Sequence, residues 1–237
     1  MALVQATGAS ASGTTVTTAA LTTTAGNAVV AVVGMFGTDA FNTLTDSQGN
    51  TYTQVLAVPA PSGLIGRHGV YMATGIVGGA GHTVTFTAVA GNGGTISMVI
   101  AEVSVTQTVD KSAIGTYPAA AATTLTAPSV TTTVATELII GTFTLDGAAT
   151  NTTFTAGTGY TIPTGGKIEP GASFYQVVPM CLESKSVVAI GAQAPSCTIS
   201  AAYESQSNVV TLFGSVAPSQ YFRPASDVAA GGWTVGP

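Results

Sequence analysis

The sequence predicts an all-β protein, an antiparallel β-sandwich of jelly-roll-like type, and three observations predict it. Short runs of Thr, Val, Ala and Ile are broken by Gly, Pro and Asn, the pattern of half-buried strands divided by turns. The 3.6-residue apolar period of an amphipathic helix is sustained nowhere. Only 6% of the 237 residues are charged while 46% are hydrophobic. An ordinary monomeric domain relies on roughly a quarter charged residues to stay apart in solution, so this surface is dressed in hydroxyls.

Residues 1–13 are small and polar without periodicity and read as an N-terminal arm, ahead of a sandwich body at 14–217. In the first part of that body, Ala28 to Phe36, Thr51 to Val58, Gly69 to Thr74, Thr83 to Ala88 and Ile96 to Val105 read as strands, because β-branched and aromatic residues cluster there between turn formers. The segments Asp46-Ser47-Gln48-Gly49-Asn50 and Asn92-Gly93-Gly94 read as hairpin tips, with antiparallel neighbours on either side. From Met98 to Val105, alternation puts Val99, Ala101, Val103 and Val105 on one face and Met98, Ile100, Glu102 and Ser104 on the other, apolar against mixed. The stretch 107–124, with Pro118 and an Ala run, is a linker or a crossover. Beyond it, Glu137 to Leu145, Tyr160 to Pro163, Phe174 to Val178, Ser186 to Ile190, Cys197 to Ala202 and Asn208 to Val216 repeat the scheme.

The body carries an internal echo. Thr23 to Val30 (TTAGNAVV) returns as Thr132 to Ile139 (TTVATELI), 109 positions on (132 minus 23); Gly49-Asn50-Thr51-Tyr52-Thr53 returns loosely as Gly157-Thr158-Gly159-Tyr160-Thr161; Tyr71 has a counterpart in Tyr175. Such spacing suggests two duplicated halves, about 14–106 and 123–217, forming one sandwich or two in tandem. The last segment, 218–237, holds Pro224, three glycines and the only tryptophan, and reads as a tail. Its Tyr221, Phe222, Arg223 and Trp233 are candidate partner contacts, since aromatic and Arg side chains dominate contact energetics at interfaces.

Catalytic and ligand chemistry leaves little trace. His68 and His82 are the only histidines and both read as surface or turn residues, with no G-x-S-x-G elbow beside them. No zinc-ligand spacing and no D-x-D-x-D-G calcium loop is present, and Asp39 with Asp46 offers two carboxylates where Ca²⁺ wants several hard ligands. Asp46 reads instead as a turn residue bonding the backbone ahead of it. Glu102 and Glu137 are the only acids within strong strands, and a glycosidase would need them to face each other across a groove. Tyr52, Tyr71, Tyr160, Tyr175 and Tyr203 are available to stack on sugars, but their strand settings favour half-buried packing. Cys181 and Cys197 read as two buried thiols rather than a disulfide. No metal, no cofactor and no catalytic residue is expected. The five basic residues, Arg67, Lys111, Lys167, Lys185 and Arg223, are scattered singly in a chain of net charge −5, which leaves nothing to neutralise a phosphate backbone. The sequon Asn151-Thr152-Thr153 matters only in a glycosylating compartment. Met1 to Val30 shows neither a basic n-region nor an unbroken apolar core, so no Sec-type signal is expected, and no apolar run approaches the roughly 20 residues of a spanning helix.

The stretch Thr45 to Thr53 (TDSQGNTYT), followed by Ala101-Glu102-Val103-Ser104 and by Ala135 to Gly141 (ATELIIG), resembles a broad family of environmental bacterial and phage-borne β-sandwich surface proteins. The terminal Phe222 to Thr234 (FRPASDVAAGGWT) is similar to a linker of phage structural proteins that joins modules. The resemblance implies a non-enzymatic virion component, a capsid decoration or a fibre or tail subunit. It would be homo-oligomeric, in contact with a capsid or tail protein, and assembled in the host cytoplasm. The alternative it leaves is a secreted, extracellular carbohydrate-binding or adhesive module that meets a cell-surface glycan.

Overall fold

The computed structural model describes residues 1–35, 41–58, 67–89, 94–116, 119–145, 152–169 and 178–214, and their regular structure is all β. The first half supplies β1 (Leu3–Ser12), β2 (Thr15–Thr17), β3 (Leu21–Thr23), β4 (Ala28–Met35), β5 (Phe41–Asp46), β6 (Thr53–Val58), β7 (Arg67–Thr74), β8 (Gly79–His82), β9 (Val84–Ala88) and β10 (Thr95–Val103). The second supplies β11 (Gln107–Ile114), β12 (Ala119–Thr126), β13 (Val130–Thr131), β14 (Glu137–Leu145), β15 (Phe154–Ala156), β16 (Lys167–Ile168), β17 (Met180–Val187), β18 (Ala192–Gln193) and β19 (Ser196–Gly214). Every pairing among these strands is antiparallel.

The strands stack in layers. The sheet β1-β10-β4-β7-β6 has β2-β9-β5 over one face, where Val29, Ala31, Met98 and Ile100 meet Val16, Val84 and Phe86. Its other face, through Val30, Val32, Val99 and Ala101, packs on Leu138, Ile140, Met180, Leu182 and Val210 of the sheet β11-β19-β14-β17-β16. That second sheet turns its far face, Ile139, Phe143, Cys181 and Val209, toward Leu125, Phe154, Cys197 and Ile199. Two sandwiches therefore share a central core. Each fully buried Val, Leu or Ile contributes about 1.5–3 kcal/mol relative to exposure, and β4, β10 and β14 are buried at every position. The mixed face expected for β10 is thus as buried as its apolar one, because the strand lies between two layers and not at the outside of one. Gly34 permits the close approach of the sheets: a Cβ there would lie 2.7 Å from Met180 Cε.

Several expectations are corrected. Neither proposed tip joins paired strands, because β5 and β6, and likewise β9 and β10, belong to different sheets; Asn92 and Gly93 themselves lie outside the described residues. Residues 1–13, expected as an arm, contain β1, paired along its length with β10, and the 107–124 stretch holds β11 and most of β12, with Pro118 outside the described residues. Their Ala, Ser, Gly and Thr alternate too weakly in size to register as strands. The strands expected at Cys197 to Ala202 and Asn208 to Val216 are one, β19, with no Gly or Pro before Gly214 to break it. Its beginning pairs with β12 and β15 and its end with β11 and β14. Tyr160 to Pro163 makes only a bridge, Thr161 to Ser184, and Ser186 to Ile190 leaves β17 after Val187. The expected strand at Phe174 to Val178 lies outside the described residues but for its last member.

The two halves have the same strand order, β1-β10-β4-β7-β6 against β11-β19-β14-β17-β16, with β2-β9-β5 against β12-β19-β15 and β3-β8 against β13-β18. Gly26 (φ 84°) and Thr136 (φ 66°) stand at the same turn before β4 and β14, a shift of 110 (136 minus 26). With that shift, the strand registers put His68, Val70 and Met72 of β7 where β17 has Met180, Leu182 and Ser184. The Thr74 hydroxyl donates to Gln107 O at 3.0 Å, and the Ser186 hydroxyl donates to Met1 O at 2.9 Å in the matching place. The echo at 109 is therefore one residue out of structural step. A one-residue slip exchanges the faces of a strand, and it would set Val30 of the central core against Ile139 of an outer one. The register counterpart of Tyr71 is Glu183; Tyr175 lies outside the described residues.

Candidate functional site

The ionisable groups of the strands are gathered at turns. Asp46 ends β5 and takes hydrogen bonds at Oδ1 from the N–H groups of Gln48 (3.0 Å) and Asn50 (2.9 Å), and at Oδ2 from Asn50 Nδ2 (2.8 Å) and the Tyr52 hydroxyl (3.1 Å). This is the turn role read from the sequence. Burial alone would raise its pKa, but the donors from Asn50, His82 and Tyr52 outweigh that and hold it below the usual carboxylate range.

His82 Nε2 lies 2.9 Å from Asp46 Oδ2 and Nδ1 lies 2.7 Å from the Thr23 hydroxyl. Because the carboxylate can only accept, the Nε2–H tautomer follows, and the imidazole can accept from Thr23. The order hydroxyl, imidazole, carboxylate is that of an activated nucleophile. Here it is sealed in, with Thr23 5% and His82 1% exposed, and it ties β3, β8 and the Asp46 turn together. His68 is also buried, in β7 at the central seam, with Nε2 3.1 Å from the Thr142 hydroxyl and Nδ1 bonded to that of Thr144. Burial lowers its pKa to about 3. The expectation that both histidines are surface or turn residues is corrected: each sits in a strand and supplies both ring nitrogens to a buried network.

Glu102 accepts from Gln5 Nε2 (2.6 Å), the Thr24 N–H (2.8 Å) and Asn27 Nδ2 (2.6 Å). Burial opposes ionisation, but these donors prevail and lower its pKa. Glu137 latches the matching turn of the second half through the Val134 N–H at 3.1 Å. Its pKa is raised, by burial first and then by the neighbouring Asp110, against the pull of Thr211 and Val134. By alternation Glu102 shares a face with Ile100 and Glu137 with Ile139, which belong to opposite outer cores. The pair does not face across a groove, and each carboxylate is bonded to its own turn.

Cys181 and Cys197 are free and buried, Sγ to Sγ 3.9 Å, one in each layer of the second sandwich, as the sequence suggested; burial pushes the Cys181 thiol up. Beside them Glu183 accepts from the Gly157 N–H at 2.9 Å, its Oε1 has no hydrogen-bond partner, and burial raises its pKa to about 7. Tyr52, Tyr160 and Tyr203 are partly buried against the outer cores and Tyr71 is buried, so packing and not stacking accounts for them. Asp39, Asn151, Tyr221, Phe222, Arg223 and Trp233 lie outside the described residues.

The feature the sequence reading missed is a cleft of about 440 Å³ at the junction of the halves, lined by Ala2, Leu3 and Val4 of the first and by Leu138, Thr161, Ser184, Lys185 and Ser186 among residues of the second. It lies where the edge strand is interrupted by a turn and resumes at a single bridge. In the first half β6 runs on beside Met72 and Tyr71 through Thr53 and Gln54. In the second, β16 pairs through Lys167 and Ile168, Pro163 to Gly166 forms a turn closed by the Gly166 N–H to Pro163 O, 2.8 Å, and Thr161 takes up the edge again opposite Ser184, as Thr53 does opposite Met72. Gly165 (φ 77°) presses this turn on β1: a Cβ there would lie 2.4 Å from Ala6 O. The sequence signal was Pro163 with Gly165 and Gly166, legible only beside the uninterrupted 53–58 run. Compared with known families, with curated proteins and with solved structures, the chain matches none of them.

Proposed function

We propose that this chain is a non-enzymatic structural component of a phage particle, a capsid decoration or a fibre or tail subunit that works through contacts between copies. The observation that carries the reading is where the few charges go. Of ten acidic residues, Asp46, Glu102, Glu137 and Glu183 have buried side chains bonded to turns and to the junctions of strands, so the outer surface is poorer in charge than the composition alone conveys. A monomer needs such charge to stay in solution, whereas hydroxyl-rich sheets mated to neighbours do without burying ions at the contact. Strand order adds support: β1-β10-β4-β7 with β2-β9-β5 follows a jelly-roll path, repeated by β11-β19-β14-β17 with β12-β19-β15. We read two jelly rolls from one duplicated ancestor, a fold shared by capsid proteins and lectins. The cleft at the junction favours, as a second reading, a secreted carbohydrate-binding module. Mass spectrometry of gradient-purified particles decides between the two: a fixed stoichiometry of this chain to a shell or tail protein is expected, and its presence only in the particle-free fraction would overturn the virion reading.

A further inference from the structure

The outer layers of the two sandwiches match position by position. The Thr18 N–H donates to Val84 O in the first half and the Ala127 N–H to Pro195 O in the second, both at 2.9 Å. Likewise β9 lies between β2 and β5 as the start of β19 lies between β12 and β15. Phe86, two residues past Val84, therefore corresponds to Cys197, two past Pro195. In the sheet that this layer covers, the register that sets His68 against Met180 sets Gly69 against Cys181. The first half thus has a large side chain in one layer and none in the other, where the second half has a thiol in each.

Those thiols meet. Their Sγ atoms lie 3.9 Å apart, with Cys181 1% and Cys197 0% exposed, inside an outer core that also holds Phe143, Phe154 and Ile199. Among the described residues no third His, Cys, Asp or Glu joins them in a metal-ligand set, and burial keeps Cys181 in its thiol form, which is no nucleophile. What the geometry does offer is a bond between the two sulfurs. Facing sheets of a sandwich can be bridged in this way, as they are in antibody domains. The layer that carries Cys197 is also lightly tied: β15 has three residues, and β12 shifts register twice along β19. It can yield by the ångström or two that separates sulfur contact from an S–S bond of about 2 Å.

We propose that Cys181 and Cys197 form a redox staple, free in a reducing cytoplasm and joined as a disulfide once the chain meets a small-molecule disulfide such as oxidised glutathione. One cysteine thiolate attacks a glutathione sulfur, the glutathione S–S bond breaks, and one glutathione leaves. The other cysteine thiolate then attacks the protein sulfur of the mixed disulfide and displaces the second glutathione. Two cysteine thiols are oxidised, one glutathione disulfide is reduced to two thiols, and the two protons pass to the released glutathiones. A mixed disulfide has no room where both sulfurs are sealed in, so the first step takes place while the outer layer is open, during folding or local opening. Packing of that layer brings the sulfurs together and drives the second step. The bond spans 16 positions and ties the start of β19 to β17, so the outer layer can no longer part from its sheet. The staple rests on the thiol pair alone and holds for a particle subunit or for a secreted module.

The test is to refold the full chain from urea in oxidised glutathione and, in parallel, in reduced glutathione, and to compare peptide maps and melting temperatures. The oxidised sample is expected to stay monomeric on a denaturing gel without reductant, to yield one linked pair of peptides carrying Cys181 and Cys197, and to have no thiol left to alkylate. It should melt at least about 5 °C above the dithiol form, and added reductant should abolish the gain. Cys197→Ser should lose both the linked peptides and the gain. The two forms of the unaltered chain supply the same comparison should that variant fail to fold. Disulfide-linked dimers in place of the internal link, a stable glutathione adduct that does not close, two thiols still free, or a linked chain that melts no higher than the dithiol would each overturn the staple. None of these outcomes bears on whether the chain is found in particles.

Discussion

The halves hold one turn in two ways. In the first, the carboxylate is on β10: Glu102 reaches Asn27 and the Thr24 N–H at the turn before β4. In the second, Glu137 occupies the place of Asn27, and Thr211 occupies that of Glu102. The backbone demand is the same, a donor of the turn to be satisfied, and a carboxylate from either strand meets it. What changes is ionisation. Three donors hold Glu102 charged, while Glu137, with fewer donors and Asp110 close by, is pushed the other way. Likewise the central seam receives His68 from β7 and Met180 from β17 at matching positions, a polar knob against an apolar one.

The largest expected effect breaks that last contrast. The folded chain resists protonating His68 until about pH 3, whereas the unfolded chain takes up the proton below about pH 6.5. Its contribution to stability is thus full at neutral pH and is lost as the pH falls through that window, by about 3 kcal/mol between pH 7 and pH 4. His68→Met, copying Met180, should remove this part of the pH dependence in paired urea melts. It should also cost about 1–2 kcal/mol at pH 7 for the hydroxyls of Thr142 and Thr144 left without a partner.

Next comes the latch. Glu102→Gln should cost about 2–3 kcal/mol at pH 7, since charge-assisted bonds weaken and an amide N–H₂ must face donors. Glu137→Gln should change stability by less than about 1 kcal/mol, because fewer donors hold that carboxylate and both burial and the neighbouring Asp110 oppose its charge. Equal losses in thermal melts would show that the two turns are held alike.

An effect of opposite sign lies in the outer core of the second half. Glu183 keeps its proton to about pH 7 when folded and loses it near pH 4.3 when unfolded. Stability from this group is present below the unfolded value and lost as the pH rises through 7. Glu183→Gln should therefore gain about 3 kcal/mol at pH 8 and almost nothing at pH 4, and an unchanged difference between the two pH values would contradict a buried Glu183 with a raised pKa.

How much of this was legible in the sequence differs by element. β4, β10 and β14 announce themselves through Val and Ile runs, and Asp46 through its turn partners. β1 and β12 do not, because Ala, Ser and Thr strands derive their order from the sheet they join. The layers were hidden as well: a strand buried on both faces and one buried on a single face both carry Val and Ile, and only the partner across Gly34 distinguishes them. His68 and His82 looked like turn residues beside Gly66, Gly69 and Gly81, since the hydroxyls that make them buriable come from Thr142, Thr144 and Thr23, far away along the chain. The echo at 109 put Thr23 to Val30 on the wrong face, whereas the looser echo of Gly49 to Thr53 in Gly157 to Thr161 is in step, since Thr53 lies opposite Met72 and Thr161 opposite its counterpart Ser184.

Light scattering of the purified chain across a concentration series most directly tests whether its charge-poor faces are made to be covered by copies. A closed oligomer of fixed mass, unchanged between low and high salt because few ions hold it together, is the expected result. A soluble monomer at every concentration and salt would contradict it.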